Sequence, residues 1–330
     1  MTRRIPAVRN PAARAPSARV PSARTPARVP SVRVSAERVH AVRTLVSPLT
    51  LATTRGRALY WTVFSGVVLA FVLAFLFPVY WMVSGAMKSP DELVRTPPTP
   101  VPETWDPGAY ADAWDLMRLP THLWNTVVQA TGAWILQLVF CTAAAYALSK
   151  LKPAFGRVIL GGILATLMVP AQALLVPKYL TIADLPLIHT SLLNDPLGIW
   201  LPAVANAFNL YLLKRFFDQI PRDVLEAAEI DGAGKLRTLR SILLPMSRPV
   251  LGVVSIFALV AVWQDFLWPL MVFPDTDKQP ISVALVQLSQ NIPLSVLIAA
   301  MVIASVPMVL MFLVFQRHII AGISAGSTKG

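Results

Sequence analysis

Residues 226–249 read EAAEIDGAGKLRTLRSILLPMSRP, a charged stretch between two hydrophobic runs, and the rest of the chain is understood from it. Pro221 stands just ahead, a good residue for starting a helix, and Asp223 and Glu226 lie near that helix's positive end. Asp231 and Gly232 supply a stop, because glycine adopts the left-handed conformation that caps a helix. A second helical run is expected from Lys235 to Pro245, with Leu236, Leu239 and Leu243 on one face and Lys235, Arg237 and Arg240 largely on another. The pattern reads as a docking surface rather than an active site. Gly232-Ala233-Gly234-Lys235 imitates a phosphate loop, but that motif needs glycine where Glu229 stands and Ser or Thr where Leu236 stands. The chain is therefore expected to bind no nucleotide itself.

Outside this segment the chain is apolar: 55% of its 330 residues are hydrophobic and only 14% are charged, too few charges for a soluble enzyme of this size. An integral membrane protein follows. Crossing about 30 Å of hydrocarbon takes roughly 20 helical residues, and six stretches qualify. They are Ala58–Met87, Asn125–Ser149, Val158–Val176, Leu197–Leu213, Pro249–Met271 and Pro293–Phe315. Pro170 is expected to kink the third, which closes near Pro177.

Loop charges orient these spans. Between the first and second, Lys88, Arg95 and Arg118 face Asp91, Glu92, Glu103, Asp106, Asp112 and Asp115, whereas Lys150, Lys152 and Arg157 follow the second with no acid at all. The loop before the fifth span is the most basic, and the one after it has only Lys278 beside Asp275 and Asp277. Six spans with both termini in the cytoplasm satisfy every loop, and residues 222–249 then fall on the cytoplasmic side.

The single cysteine, Cys141, excludes an intrachain disulfide, and His40, His122, His189 and His318 are scattered without metal-ligand spacing. Neither a metal site nor a Ser-His-Asp arrangement nor a paired carboxylate emerges. Residues 1–57 hold twelve arginines against one acid, Glu37, with proline on the same beat of about five residues. This region carries eleven of the formal net charge of +12 and explains the pI of about 10.3. So many prolines and so few large apolar residues predict a disordered tail, in contact with anionic membrane lipid at most and with no specific nucleic acid. Its Arg, Pro, Ala and Val also favour GC-rich codons, as an early-assigned start codon would give. Residues 58–330 are the expected membrane domain.

The Glu226-Ala227-Ala228 triplet, with Gly232 and then Ile242, Leu244 and Pro245 behind it, resembles the EAA loop of ABC-importer permeases. The likeness extends over SGAMKSPDEL from Ser84, MVPAQALLVPKYL from Met168, VWQDFLWPL from Val262 and QRHIIAGISAGSTKG at the end. These together resemble the carbohydrate-uptake class, in particular its maltose-type second permease. Where that family usually has Trp-Asn-Asp, this chain has Trp263, Gln264 and Asp265.

The resemblance implies an all-α, six-span type I importer permease in a bacterial cytoplasmic membrane, a transport subunit rather than an enzyme. It implies a second, different permease, two ATPase subunits that carry ATP and Mg, and an extracytoplasmic binding protein that delivers a sugar. Glu226, Ala227, Ala228, Asp231, Gly232, Ala233 and Pro245 would form the ATPase-docking face. A hydroxyl-rich solute needs aromatic faces and amide or carboxylate partners, which Trp263, Gln264, Asp265 and Trp268 offer at the outer end of the fifth span and Asn206 and Asn209 in the fourth. Tryptophans at an interface also serve as belt anchors, and the partner permease can carry most solute contacts. The segment after Phe315, with Gln316, Arg317 and His318, lies where relatives sense the ATPase, although a Gly/Ser tail is ordinarily flexible. Competing readings are an ion-coupled secondary transporter, which calls for ionisable groups within spans, an importer of a non-sugar solute, and a receptor using the basic tail.

Overall fold

The computed structural model describes residues 53–327, with side chains through Arg317, and every regular element among them is helical. The basic tail therefore lies outside the described residues up to position 52. The principal helices are α1 (Thr54–Gly85), α2 (Leu119–Tyr146), α3 (Gly156–Ala165), α4 (Leu175–Ala183), α5 (Leu197–Val204) and α6 (Ala207–Gln219). They continue as α7 (Arg222–Ile230), α8 (Lys235–Thr238), α9 (Arg248–Gln264), α10 (Leu267–Val272) and α11 (Leu294–Ser327). Contacts divide the chain at Gly66. Up to that point the described residues are the first part of α1, where the Tyr60 and Phe64 rings stack at 5.9 Å. From Val67 onward they are a helical body.

Three stretches, Thr54–Gly85, Leu119–Leu151 and Leu294–Arg317, are long and apolar enough to cross a membrane. The remaining expected spans are bent or broken. Gly156–Met168 and Ala171–Ala183 meet at 102°, a break rather than the kink expected of Val158–Val176. Val169 sits before Pro170, whose ring pushes it into the extended region, and its ψ is 124°. Pro177 does not close this segment. It falls in the first turn of α4, where a missing N–H costs no helix bond.

The fourth expected span, Leu197–Leu213, is two helices. Pro202 has no N–H to give the Gly198 carbonyl, α5 stops at Val204, and Asn206 starts α6 afresh by accepting the Asn209 N–H at 2.9 Å. The freed Gly198 carbonyl instead accepts the Trp268 indole N–H at 3.1 Å. The fifth span is shorter than expected, because α9 ends at Gln264, where Asp265 turns extended, and α10 begins as a separate helix. The sixth is longer. Its helix runs to Ser327, so the Gly/Ser stretch after Phe315 is helical rather than loose.

One core joins α2, α6 and α9 through Cys141, Ala145, Tyr146, Leu213, Phe217 and Val254. At the other end of α2 the loop 277–281 is pinned to the helix by side chains that return its backbone bonds. Asn125 donates to the Asp277 carbonyl at 2.7 Å, Gln129 to the Lys278 carbonyl at 3.2 Å, and Thr126 Oγ1 accepts the Ile281 N–H at 2.8 Å. Buried His122 joins them, its Nδ1 2.9 Å from the Gln279 carbonyl, which gives this histidine a structural role.

Candidate docking segment and substrate path

Helix α7 begins one residue after Pro221, with Asp223 in its first turn near the positive end. Its termination is a full Schellman arrangement. Gly232 has φ +75°, its N–H donates to the Glu229 carbonyl at 3.0 Å, and the Ala233 N–H reaches back to the Ala228 carbonyl at 2.9 Å. The helix sits Leu225 against the core and buries Ala228 one turn on. Glu226, Ala227, Glu229 and Ile230 are left exposed, as are Asp231 and Gly232 beyond them.

The second limb departs from the expected register. Leu239 and Leu243 pack inward, but Leu236 is 59% exposed. Residues Leu239–Leu243 form a π turn, which takes one residue more than an α turn and so changes which side chains share a face. Pro245 does not end this limb either. It occupies an early position of the short helix Leu244–Met246 that follows the π turn, and its side chain is exposed. Ile230, Leu236 and Met246 are 87%, 59% and 43% exposed. Of these, Leu236 was expected to share a face with Leu239 and Leu243, and the π turn separates it from them.

Polar contacts hold this segment to the end of α2. That helix runs into a π turn, Ala147–Leu151, where Ser149 donates to Asp218 Oδ1 at 2.7 Å and Lys150 to the Ile220 carbonyl at 3.0 Å. Lys214, one turn before Asp218, donates to its Oδ2 at 2.7 Å. Partial burial alone would raise the Asp218 carboxyl, but the bonds from Lys214 and Ser149 and the charges of Lys214 and Lys150 outweigh it and hold it below the usual carboxylate range. A cavity of about 410 Å³ opens here, lined by both charge signs, including Lys152, Arg222, Glu226 and Glu229.

The residues expected along a solute path do not form one cluster. Trp263 is buried against Ala130 and Leu259. Asn206, whose carbonyl lies 3.7 Å from Cys141 Sγ, sits near a point of α2 eleven residues further on, roughly 16 Å along the axis. Asn206 is committed to capping α6, and Asn209 is buried at 2% exposure. Trp268 is also buried, and Lys178 of α4 lies 3.7 Å over its ring. That lysine, lone in an apolar stretch, is the polar group missed in the sequence. Asp265 accepts the Trp268 backbone N–H at 3.4 Å through its side chain and the Ser282 hydroxyl at 2.7 Å through its carbonyl. Only Gln264 of this set is exposed without a hydrogen bond to the described residues that would fix it.

Helices of this length and apolarity, broken at proline, define an integral membrane protein. Comparison with known proteins agrees. Residues 138–325 match the binding-protein-dependent transport system inner membrane component, and the chain belongs to that family. It is 32% identical to the diacetylchitobiose uptake permease NgcG of Streptomyces coelicolor over 76% of this chain and 83% of that one. It is 30% identical to the sulfoquinovosyl glycerol permease SmoH of Agrobacterium fabrum over 85% and 99%. The fold is shared with a bacterial ABC transporter involved in the import of the acidic polysaccharide alginate, at a TM-score of 0.70 and 24% identity, covering 81% of this chain and 99% of that one. The protein is thus an inner-membrane permease component of the ABC importer class and not an enzyme.

Proposed function

We propose that this chain is one of two unlike permeases of an ATP-driven importer for a sugar or sugar derivative, with α7 as the helix that docks on an ATPase subunit. The observation that carries it is α7 itself: a short helix closed by Gly232, fixed on one side by Leu225 and Ala228, and exposing Glu226, Ala227 and Ile230 on the other. In this reading α3 with α4 and α5 with α6 each count as one crossing, α9 is a crossing by itself, and the three long helices supply the rest. Six crossings place both termini and residues 222–249 in the cytoplasm, in keeping with the loop charges. ATP and Mg are held by two ATPase partners, and an extracytoplasmic binding protein delivers the solute. ATP-driven closure turns the permease pair outward because the nucleotide states favour different permease conformations. The glycosides named for NgcG and SmoH support a glycosidic solute.

Two experiments test this. Reporter fusions at Glu103 and Asp277 should read as extracytoplasmic, and a cytoplasmic signal at either position defeats the topology. The binding protein that co-purifies with the complex should show a raised melting temperature with mono- or oligosaccharides. A rise only with amino acids or peptides would defeat the sugar assignment.

A further inference from the structure

The residues that flank α7 on both sides are tied to the same helix end. Asp218 and Ile220 lie just before α7 and accept hydrogen bonds from Ser149 and Lys150. Lys235 lies just after the Gly232 cap, and its carbonyl accepts the Tyr146 hydroxyl at 3.2 Å. Tyr146 and Ser149 are 8% and 3% exposed, so water is poorly placed to replace either bond if it is lost. Beside them Leu225, Leu239 and Leu243 share the core of Ala145, Tyr146 and Phe217. A helix anchored at one end swings when pushed, whereas one anchored at both ends must carry its support with it.

We infer that the π-turned end of α2 is the latch through which displacement of α7 reaches the membrane body, with Tyr146, Ser149 and Asp218 as positioning residues for ATP-driven switching. The inference rests on the reading that α7 docks on an ATPase. Lys214, also bonded to Asp218, belongs to the same helix as its partner and makes no bond between elements. It is the internal control.

The test uses the complex with its partner permease and ATPase, purified through a tag on this chain and reconstituted in liposomes. Gln264→Cys supplies an exposed thiol at the far end of α9, while buried Cys141 stays silent to an impermeant maleimide. In the parent complex, ATP with vanadate should change the labelling rate at position 264. Tyr146→Phe with Ser149→Ala should keep the ATPase bound and hydrolysing, yet shrink that nucleotide response by at least about fivefold, the lower end of ordinary coupling between sites. Lys214→Gln should leave it unaltered. A wild-type response in the double variant overturns the latch. So does loss of the ATPase from that variant alone, since the hydroxyls would then build the docking face rather than transmit its motion. If the parent complex itself fails to retain the ATPase, the docking reading falls first and the latch with it. Tyr146→Phe alone leaves the ring in the core and should show the same direction of change where the double variant does not insert.

Discussion

Gly132 of α2 and Trp200 of α5 are so close that a Cβ on the glycine would stand 2.0 Å from the indole Cε2. The broken fourth span therefore lies against α2 because that position has no side chain. Gly132→Ala forces a bulky ring to move and should cost about 1–3 kcal/mol, the usual range for overpacking. Gly161→Ala or Gly162→Ala in α3 meets nothing within 4 Å among the described residues outside its own helix turn and removes a helix-weakening glycine, so either should be neutral or stabilising. Thermal melts of the detergent-solubilised protein would compare them, and equal melting temperatures for all three would refute the packing argument.

Gly232 tests strain against crowding. Among the described residues, chain neighbours aside, nothing lies within 4 Å of a Cβ placed there, so the intrinsic cost of Gly232→Ala is the left-handed backbone alone, about 1–2 kcal/mol. Asparagine tolerates that conformation better than alanine. Gly232→Asn should therefore melt closer to wild type than Gly232→Ala does. Its added bulk should still reduce ATPase retention on the solubilised permease, as should Gly232→Asp or Glu226→Lys. Wild-type retention in all of these would remove α7 from the docking face.

How far the sequence could be read depended on the range of the forces involved. Apolar length marked α1, α2 and α11, and glycine chemistry located the stop at Gly232, because both are decided within a few residues. The breaks were less legible. Pro170 announced disruption, but a kink and a 102° bend differ only in what the neighbouring helices accept, and the break at Pro202 was read through as one continuous span. Leu236 was placed on the face of Leu239 and Leu243 on an α period that the following π turn does not keep. The solute path suffered most. Trp263 and Trp268 are good solute platforms by residue type, yet both are buried in packing clusters, a matter of tertiary contact. The bonds of Tyr146 to Lys235 and of Ser149 to Asp218 carried no sequence signal, since they join residues 89 and 69 positions apart.

Asp218 gives a pH signature. Its folded carboxyl is held below the unfolded value, so its contribution to stability is fully present above the ordinary aspartate range and is lost as pH falls through the folded value. Asp218→Asn should melt lower than wild type at pH 7, and the gap should close only on acidification below about pH 4, the unfolded aspartate value. Partial exposure keeps the effect small. A gap that already closes between pH 5 and 8 would point to another titrating group.

The solute path can be tested cleanly at only part of its length. Trp263→Ala empties a buried aromatic site and should cost about 3–5 kcal/mol, so a loss of uptake there would report unfolding as readily as lost solute contact. Gln264 is different: it is exposed at the end of α9, and truncating it should leave stability within about 0.5 kcal/mol. Asp265→Asn is intermediate, because the amide oxygen can still accept the Trp268 N–H while the charge is lost. If this end of α9 meets the solute, Gln264→Ala should raise the solute concentration for half-maximal uptake severalfold, with melting temperature and basal ATP hydrolysis unchanged. Unaltered uptake with both Gln264→Ala and Asp265→Asn would assign solute recognition to the partner permease.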